Sequence, residues 1–316
     1  MAHNHDHRRN RNHHHHQIPL SSGGCSPKAS ITTEPPSSLE EGLKPPTSIN
    51  VHSLSQVPSS SAGDGVSSSS TIHAHKIIAE LVGSYVVVFV GCGFIMESKS
   101  SEMGVVSVGA AWGLAFMVMI YALGHVSGGH FNPAVTVALA ASCSFPWKQV
   151  AGYVAAQVAG SSLAVLSLSF LFDHRSEVDV KVTVTRLQGS VSCSQGLAWE
   201  FVTSFFLMLT ICGVAVDPRA IQELSGITIG AAVMFNVMIA GNMTGASMNP
   251  ARSIGPALVN REFHNLWIYV VGPIVGMLAA TAIYTVLLTH NHNHNHNNNN
   301  NHSEINSTSA GKETSK

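Results

Sequence analysis

Charge is what this sequence has least of. Asp, Glu, Lys and Arg make up 10 % of 316 residues, where soluble domains carry about a quarter. With 45 % hydrophobic residues, so little charge argues against a soluble domain and for a membrane protein. The net charge of −1 lacks the basic excess that nucleic-acid binding uses, so no nucleic-acid partner is expected. Cysteine is scarce and irregularly spaced: Cys25, Cys92, Cys143, Cys193 and Cys212. An odd count argues against a disulfide framework, and the lack of a C-x-x-C pair argues against structural zinc. No metal or cofactor is expected. An early apolar run is also missing. The first begins near Ile77, too late for a cleaved signal peptide, so the first span is expected to act as an uncleaved insertion signal.

The scarce charge is unevenly placed. Residues 1–75 and 290–316 are polar and of low complexity, rich in His, Ser and Asn. They have too little apolar surface to fold and are expected to be disordered tails. Two features there invite a functional reading: the run His13–His16 and the alternating tract from His290 to Asn301 as metal ligands, and Ser303 or Ser307 as kinase sites. Composition favours plain tails over metal binding. Asn306-Ser307-Thr308 is a glycosylation sequon, expected to go unused on a cytosolic tail.

Residues 76–289 form the apolar middle. Six apolar stretches, each near the ~20 residues a crossing helix needs, are Ile77–Met96, Gly104–Leu123, Gln149–Phe172, Gly196–Val216, Leu224–Met243 and Leu266–Leu288. Val178–Thr185 alternates like a strand but is short and reads as loop. No Asp, Glu, Lys or Arg lies between Met103 and Trp147, too long a run for one span, and Gly124-His125-Val126-Ser127-Gly128-Gly129-His130 interrupts it. Gly241-Asn242-Met243-Thr244-Gly245 interrupts the chain after the fifth span in the same way. Irregular backbone at membrane depth is tolerated only where protein or water covers it. Paired breaks therefore indicate two re-entrant half-helices meeting near the midplane.

The two breaks belong to a repeat. Gly124, Ser127, Gly128 and Asn132-Pro133-Ala134 match Gly241, Thr244, Gly245 and Asn249-Pro250-Ala251. Ahead of them Glu80-Leu-Val-Gly-Ser84-Tyr85 echoes Glu200-Phe-Val-Thr-Ser204-Phe205. Each half, 76–172 and 196–289, carries three spans, so the second enters inverted. The expected fold is an all-α membrane protein of six transmembrane helices and two re-entrant half-helices. Both termini then share one side. Lys76, Lys148 and Arg219 lie on that side, and Lys99, Arg175, Lys181, Arg186 and Arg261 lie opposite, so the positive-inside rule does not select it as cytosolic.

The half-helices have chemistry of their own. Proline suits the first helical turn and Asn suits the N-cap before it. Asn132-Pro133 and Asn249-Pro250 thus read as two helix starts whose positive dipole ends meet at one point and repel cations. Glu80 and Glu200 are acids inside spans, costly unless paired or solvated. Arg252 is a charge in an apolar stretch and needs a wet lining or carbonyl partners.

With both Asn-Pro-Ala motifs in matched contexts, Gly-His-Val-Ser-Gly before the first and Ala-Arg-Ser-Ile-Gly-Pro-Ala after the second, the chain resembles the major intrinsic proteins, the aquaporins and glycerol channels. The resemblance covers residues 76–289. It implies a homotetramer with one pore per subunit and cytosolic termini, most naturally in the plasma membrane. It also implies that Glu80 and Glu200 brace the re-entrant loops, and that Trp112, Val237, Ala246 and Arg252 form the selective constriction. That set resembles the first subgroup of plant nodulin-26-like intrinsic proteins. Gly129 departs from the family's usual Ala. Ser253 and Ala257 resemble water-channel members rather than bacterial glycerol facilitators. Val237, where water channels place His, widens the opening, and Trp112 adds an apolar wall opposite the Arg252 donors.

The expected function is a passive channel for small uncharged solutes: glycerol-like polyols, metalloid acids such as arsenous acid, and some water, with protons and ions excluded. The alternatives are a channel mainly for water, ammonia or hydrogen peroxide, an ion-coupled secondary transporter, or a pore-dead scaffold. No free midplane acid supports coupling and no blocking substitution supports a scaffold. His125 and His130 flank the first re-entrant loop and read as bracing or lining groups, so no enzyme is expected.

Overall fold

The computed structural model describes residues 65–101, 104–172 and 179–287. The His-rich tracts, Ser303, Ser307 and the sequon lie outside the described residues. Among the described residues eight α-helices follow in order: α1 (Gly65–Ser101), α2 (Val105–Ser127), α3 (Pro133–Ala141), α4 (Trp147–Phe172), α5 (Cys193–Ile211), α6 (Ser225–Thr244), α7 (Pro250–Asn260) and α8 (Ile268–Leu287). Six are long and apolar enough to cross a membrane. The remaining two, α3 and α7, are the short helices that begin at the two Asn-Pro-Ala motifs.

Small residues set the helix crossings. A Cβ on Gly113 of α2 would lie 2.5 Å from the Gly230 carbonyl of α6, and one on Gly230 would lie 2.6 Å from the Gly113 carbonyl. A Cβ on Gly160 of α4 would lie 2.3 Å from Leu81 O of α1, and one on Gly276 of α8 equally close to Phe201 O of α5. Backbones meet directly at these points, which is how helices associate where lipid removes the hydrophobic drive.

The helix ends differ from the sequence reading. The first helix begins at Gly65, inside the tail expected to run to residue 75. Hydropathy finds the bilayer-crossing stretch, whereas hydrogen bonding carries the helix on through Ser and Thr. Likewise α2 runs on through Gly124 to Ser127, whereas α6 ends at Thr244, within one residue of the expected Met243. The breaks fall at Gly128 (φ 95°) and Gly245 (φ 84°), where a left-handed residue closes a helix and glycine adopts it without strain. The segment expected as loop after the third span contains a tight helical turn, Val180–Thr183, opened by an Asp179 cap. A single π-helical turn, Cys212–Val216, ends α5. The segment after it is anchored by Asp217, which accepts from Arg219 and from the Tyr284 hydroxyl of α8.

Candidate functional site: a double half-helix pore

The site starts from two caps. Asn132 Oδ1 accepts from Ala134 N at 2.9 Å, and Asn249 Oδ1 accepts from Ala251 N at 3.0 Å and Arg252 N at 3.3 Å. Each proline occupies the first turn. The amide nitrogens cross to the other half: Asn132 Nδ2 donates to Met248 O and Asn249 Nδ2 to Phe131 O, both at 2.8 Å. The structure thus brings the N-termini of α3 and α7 together. Phe131 (φ 46°) and Met248 (φ 53°) sit in the left-handed region, an uncommon state for bulky residues. That turn aims their carbonyls across the repeat axis. One N–H of each amide is spent on this tie, and the second is free by valence.

Two buried acids hold the loops. Glu80 accepts from Ser127 Oγ (2.7 Å), His130 N (3.0 Å), Phe131 N (2.8 Å) and Gln157 Nε2 (2.8 Å). Glu200 accepts from Thr244 Oγ1 (2.7 Å), Ser247 N (2.9 Å) and Met248 N (2.8 Å). Both are fully buried, so these donors are what make a carboxylate tolerable at this depth. Tyr153 donates to Ser127 O and Tyr269 to Thr244 O, tying down the end of the helix before each loop.

The repeat is not perfect. His130 Nδ1 meets Thr136 Oγ1 at 3.1 Å, where the second half pairs Ser247 with Ser253 at 2.6 Å. His130 also packs its ring on Phe145 and Tyr153. It braces the loop, while exposed His125 lines an open cavity. Gly129 (φ 64°) and Ala246 (φ 45°) are equivalent positions in the left-handed region, so the glycine relieves strain that the alanine bears.

Three cavities follow one another through the bundle. One of about 730 Å³ is bordered by Tyr121, His125, Asn132, Ala215 and Glu223, on the side where α2 and α5 end. One of about 480 Å³ is bordered by Val182, Thr185, Arg186, Gln188 and Asn242 on the opposite side. Between them lies a cavity of only about 10 Å³, the room of about one water. It shares Phe116, Asn132 and Leu207 with the first, and Trp112, Val237 and Arg252 with the second. Trp112, Val237, Ala246 and Arg252 all border it, and Arg252 is the one charged residue among its lining. Arg252 Nη1 donates to Thr183 O at 2.8 Å, and its guanidinium carbon stands 5.0 Å from the centre of the Trp112 ring, within cation–π range.

Sequence reasoning missed Gln157, Tyr153, Tyr269 and Thr183. The tyrosines left a trace, since each opens a Tyr-Val pair on the span after its half-helix. Gln157 has no counterpart in the second half, and Thr183 acts through its backbone, so neither left a motif.

A bundle of six crossing helices with two half-helices meeting inside it defines a membrane channel. A family profile described as Major intrinsic protein matches residues 67–284. The chain belongs to the major intrinsic protein family, whose members are passive channels for small solutes in membranes and not enzymes. Among relatives, Aquaporin NIP1-1 of Oryza sativa subsp. japonica is 46 % identical over 217 residues, covering 67 % of this chain and 74 % of the relative. Nodulin-26 of Glycine max is 44 % identical over 67 % of this chain and 77 % of its own length. A probable aquaporin NIP-type of Nicotiana alata is 44 % identical over 79 % and 88 %. In structure, the aquaglyceroporin from Plasmodium falciparum aligns with a TM-score of 0.62 at 22 % identity, over 67 % of this chain and 95 % of that one, a likeness of fold.

Proposed function

We propose that this channel conducts small uncharged solutes, namely glycerol-like polyols, metalloid acids such as arsenous acid, and some water, and excludes protons and ions. The observation that carries the proposal is the lining of the narrow cavity. Trp112, Val237 and Ala246 give apolar walls, and Arg252 faces them with N–H donors. A solute with an alkyl edge and a hydroxyl edge satisfies both sides. Arg252 and the two helix N-termini repel cations. The second N–H of Asn132 and of Asn249 turns the solute oxygen toward the motif, and a water so oriented cannot relay a proton along a chain.

Water-dominated conduction is the second reading, and the small volume of that cavity favours it. Stopped-flow light scattering on proteoliposomes separates the two. Glycerol and arsenous acid entry above protein-free vesicles supports the first reading, and water flux alone supports the second.

We further propose a homotetramer, one pore per subunit, with both termini cytosolic and the plasma membrane as its site. Membership of the family supports this assembly. Exposed apolar side chains such as Leu166 and Phe170 on α4 and Leu114 and Val118 on α2 support contact with lipid or neighbouring subunits.

A further inference from the structure

We infer that Gly91, on α1 and outside the lumen, sets the width of the constriction by letting the Trp112 ring lie back. The inference rests on the proposed role of Trp112 as a wall of the pore. Gly91 is buried behind that ring. A Cβ added there would fall 2.3 Å from Trp112 Cδ2, 2.3 Å from Cε2 and 2.4 Å from Cζ2. Near-equal distances to three atoms of a fused ring place the missing methyl over its face. Carbon atoms pack at about 3.5–4.0 Å, so a methyl at Gly91 displaces the ring by at least about 1 Å.

The helices offer little room to take up that displacement. α2, which carries Trp112, is held on α6 by the mutual approach of Gly113 and Gly230. α1, which carries Gly91, is held on α4 by the approach of Gly160 to Leu81 O. Arg252 stands near the Trp112 ring, with its guanidinium carbon 5.0 Å from the ring centre, and is itself fixed to Thr183 O. The ring therefore turns toward Val237 and Arg252, the residues with which it borders the cavity of about 10 Å³. Gly91 is thus a positioning residue for selectivity: it touches no solute and acts through one side chain. The position carries no charge or motif, so its effect is visible only in the crossing of α1 with α2.

The test is a double-mutant cycle in proteoliposomes, reading glycerol, urea and water flux from the same vesicles. Gly91→Ala is expected to lower the glycerol-to-water ratio by about tenfold, an added barrier of pore diameter, with urea affected less. In a Trp112→Phe background the smaller ring leaves space, and Gly91→Ala is expected to change the ratio less than about twofold. An unchanged ratio in Gly91→Ala, or an equal loss in both backgrounds, overturns the inference. If Gly91→Ala alone fails to reach the membrane, recovery of conducting protein by adding Trp112→Phe supports it, and no recovery overturns it. A native chain that passes water but neither glycerol nor urea overturns the solute reading, and Gly91 is then judged on water flux in the same cycle.

Discussion

Asn132 and Asn249 hold each other's loops: each side-chain amide donates at 2.8 Å to the backbone carbonyl of the residue before the other. The two halves are therefore locked at the pore by a reciprocal pair of side chain to main chain bonds, each made by the residue that also caps its own half-helix. The lock and the cap share one amide, which makes both positions sensitive to any substitution.

Asn249→Ala removes a cap and leaves Phe131 O without its buried donor. Loss of a cap costs about 0.5–2 kcal/mol, and an unsatisfied buried carbonyl about 1–3 kcal/mol more. The expected outcome is a clear fall in the thermal aggregation temperature in detergent, with flux reduced in the protein that remains. Asn132→Ala is expected to behave alike, because Met248 O stands in the same position.

Glu200→Gln changes one oxygen into a donor while Ser247 N and Met248 N still need acceptors. One N–H then faces another in a dry site, at a cost of about 1–3 kcal/mol. Yield of folded protein is expected to drop. Glu80→Gln is expected to drop at least as far, because that carboxylate accepts from four groups. Fluorescence-detected gel filtration of both variants checks the order.

Val237→His adds a donor and bulk to the narrow cavity. The water-to-glycerol flux ratio is expected to rise about tenfold in stopped-flow measurements, as for a pore narrowed by a polar side chain. Arg252→Ala removes the charge and frees Thr183 O, so a proton leak is expected, read with a pH-sensitive dye inside the vesicles.

The Asp217 carboxyl is held well below the usual carboxylate range, first by the side-chain hydrogen bonds of Arg219, then by the Arg219 backbone N–H and the Tyr284 hydroxyl. A depressed folded value means that the ion form contributes stability above the unfolded pKa of about 3.9. That contribution is lost only as pH falls through the lower folded value. Asp217→Asn is expected to lower thermal stability by a constant amount between about pH 5 and 8, and to converge with the native chain only in stronger acid. A difference that disappears between pH 5 and 7 would count against this account of the anchor.

Features fixed by local rules were legible in sequence. The crossing helices show as apolar stretches because the bilayer demands them, and the half-helices show because Asn-Pro caps are local. Glu80 and Glu200 stand out in sequence as matching acids of the two halves, whereas the donors that each accepts from, such as Phe131 N and Met248 N, were not legible. The missing parts depend on distant packing. Gln157 reaches Glu80 from α4, Thr183 offers only a carbonyl, and Gly91 acts by having no side chain. The end of α2 was misplaced because Gly124 read as a break, while the left-handed turn falls at Gly128; α6 ends within one residue of the expected Met243, ahead of its own left-handed turn at Gly245.

The most direct test of the central claim is uptake of labelled glycerol into proteoliposomes of the purified chain, measured with and without an imposed proton gradient. The account predicts entry well above protein-free vesicles, equal in both conditions, ending at equal concentrations inside and out. No entry above protein-free vesicles, or accumulation driven by the gradient, would contradict it.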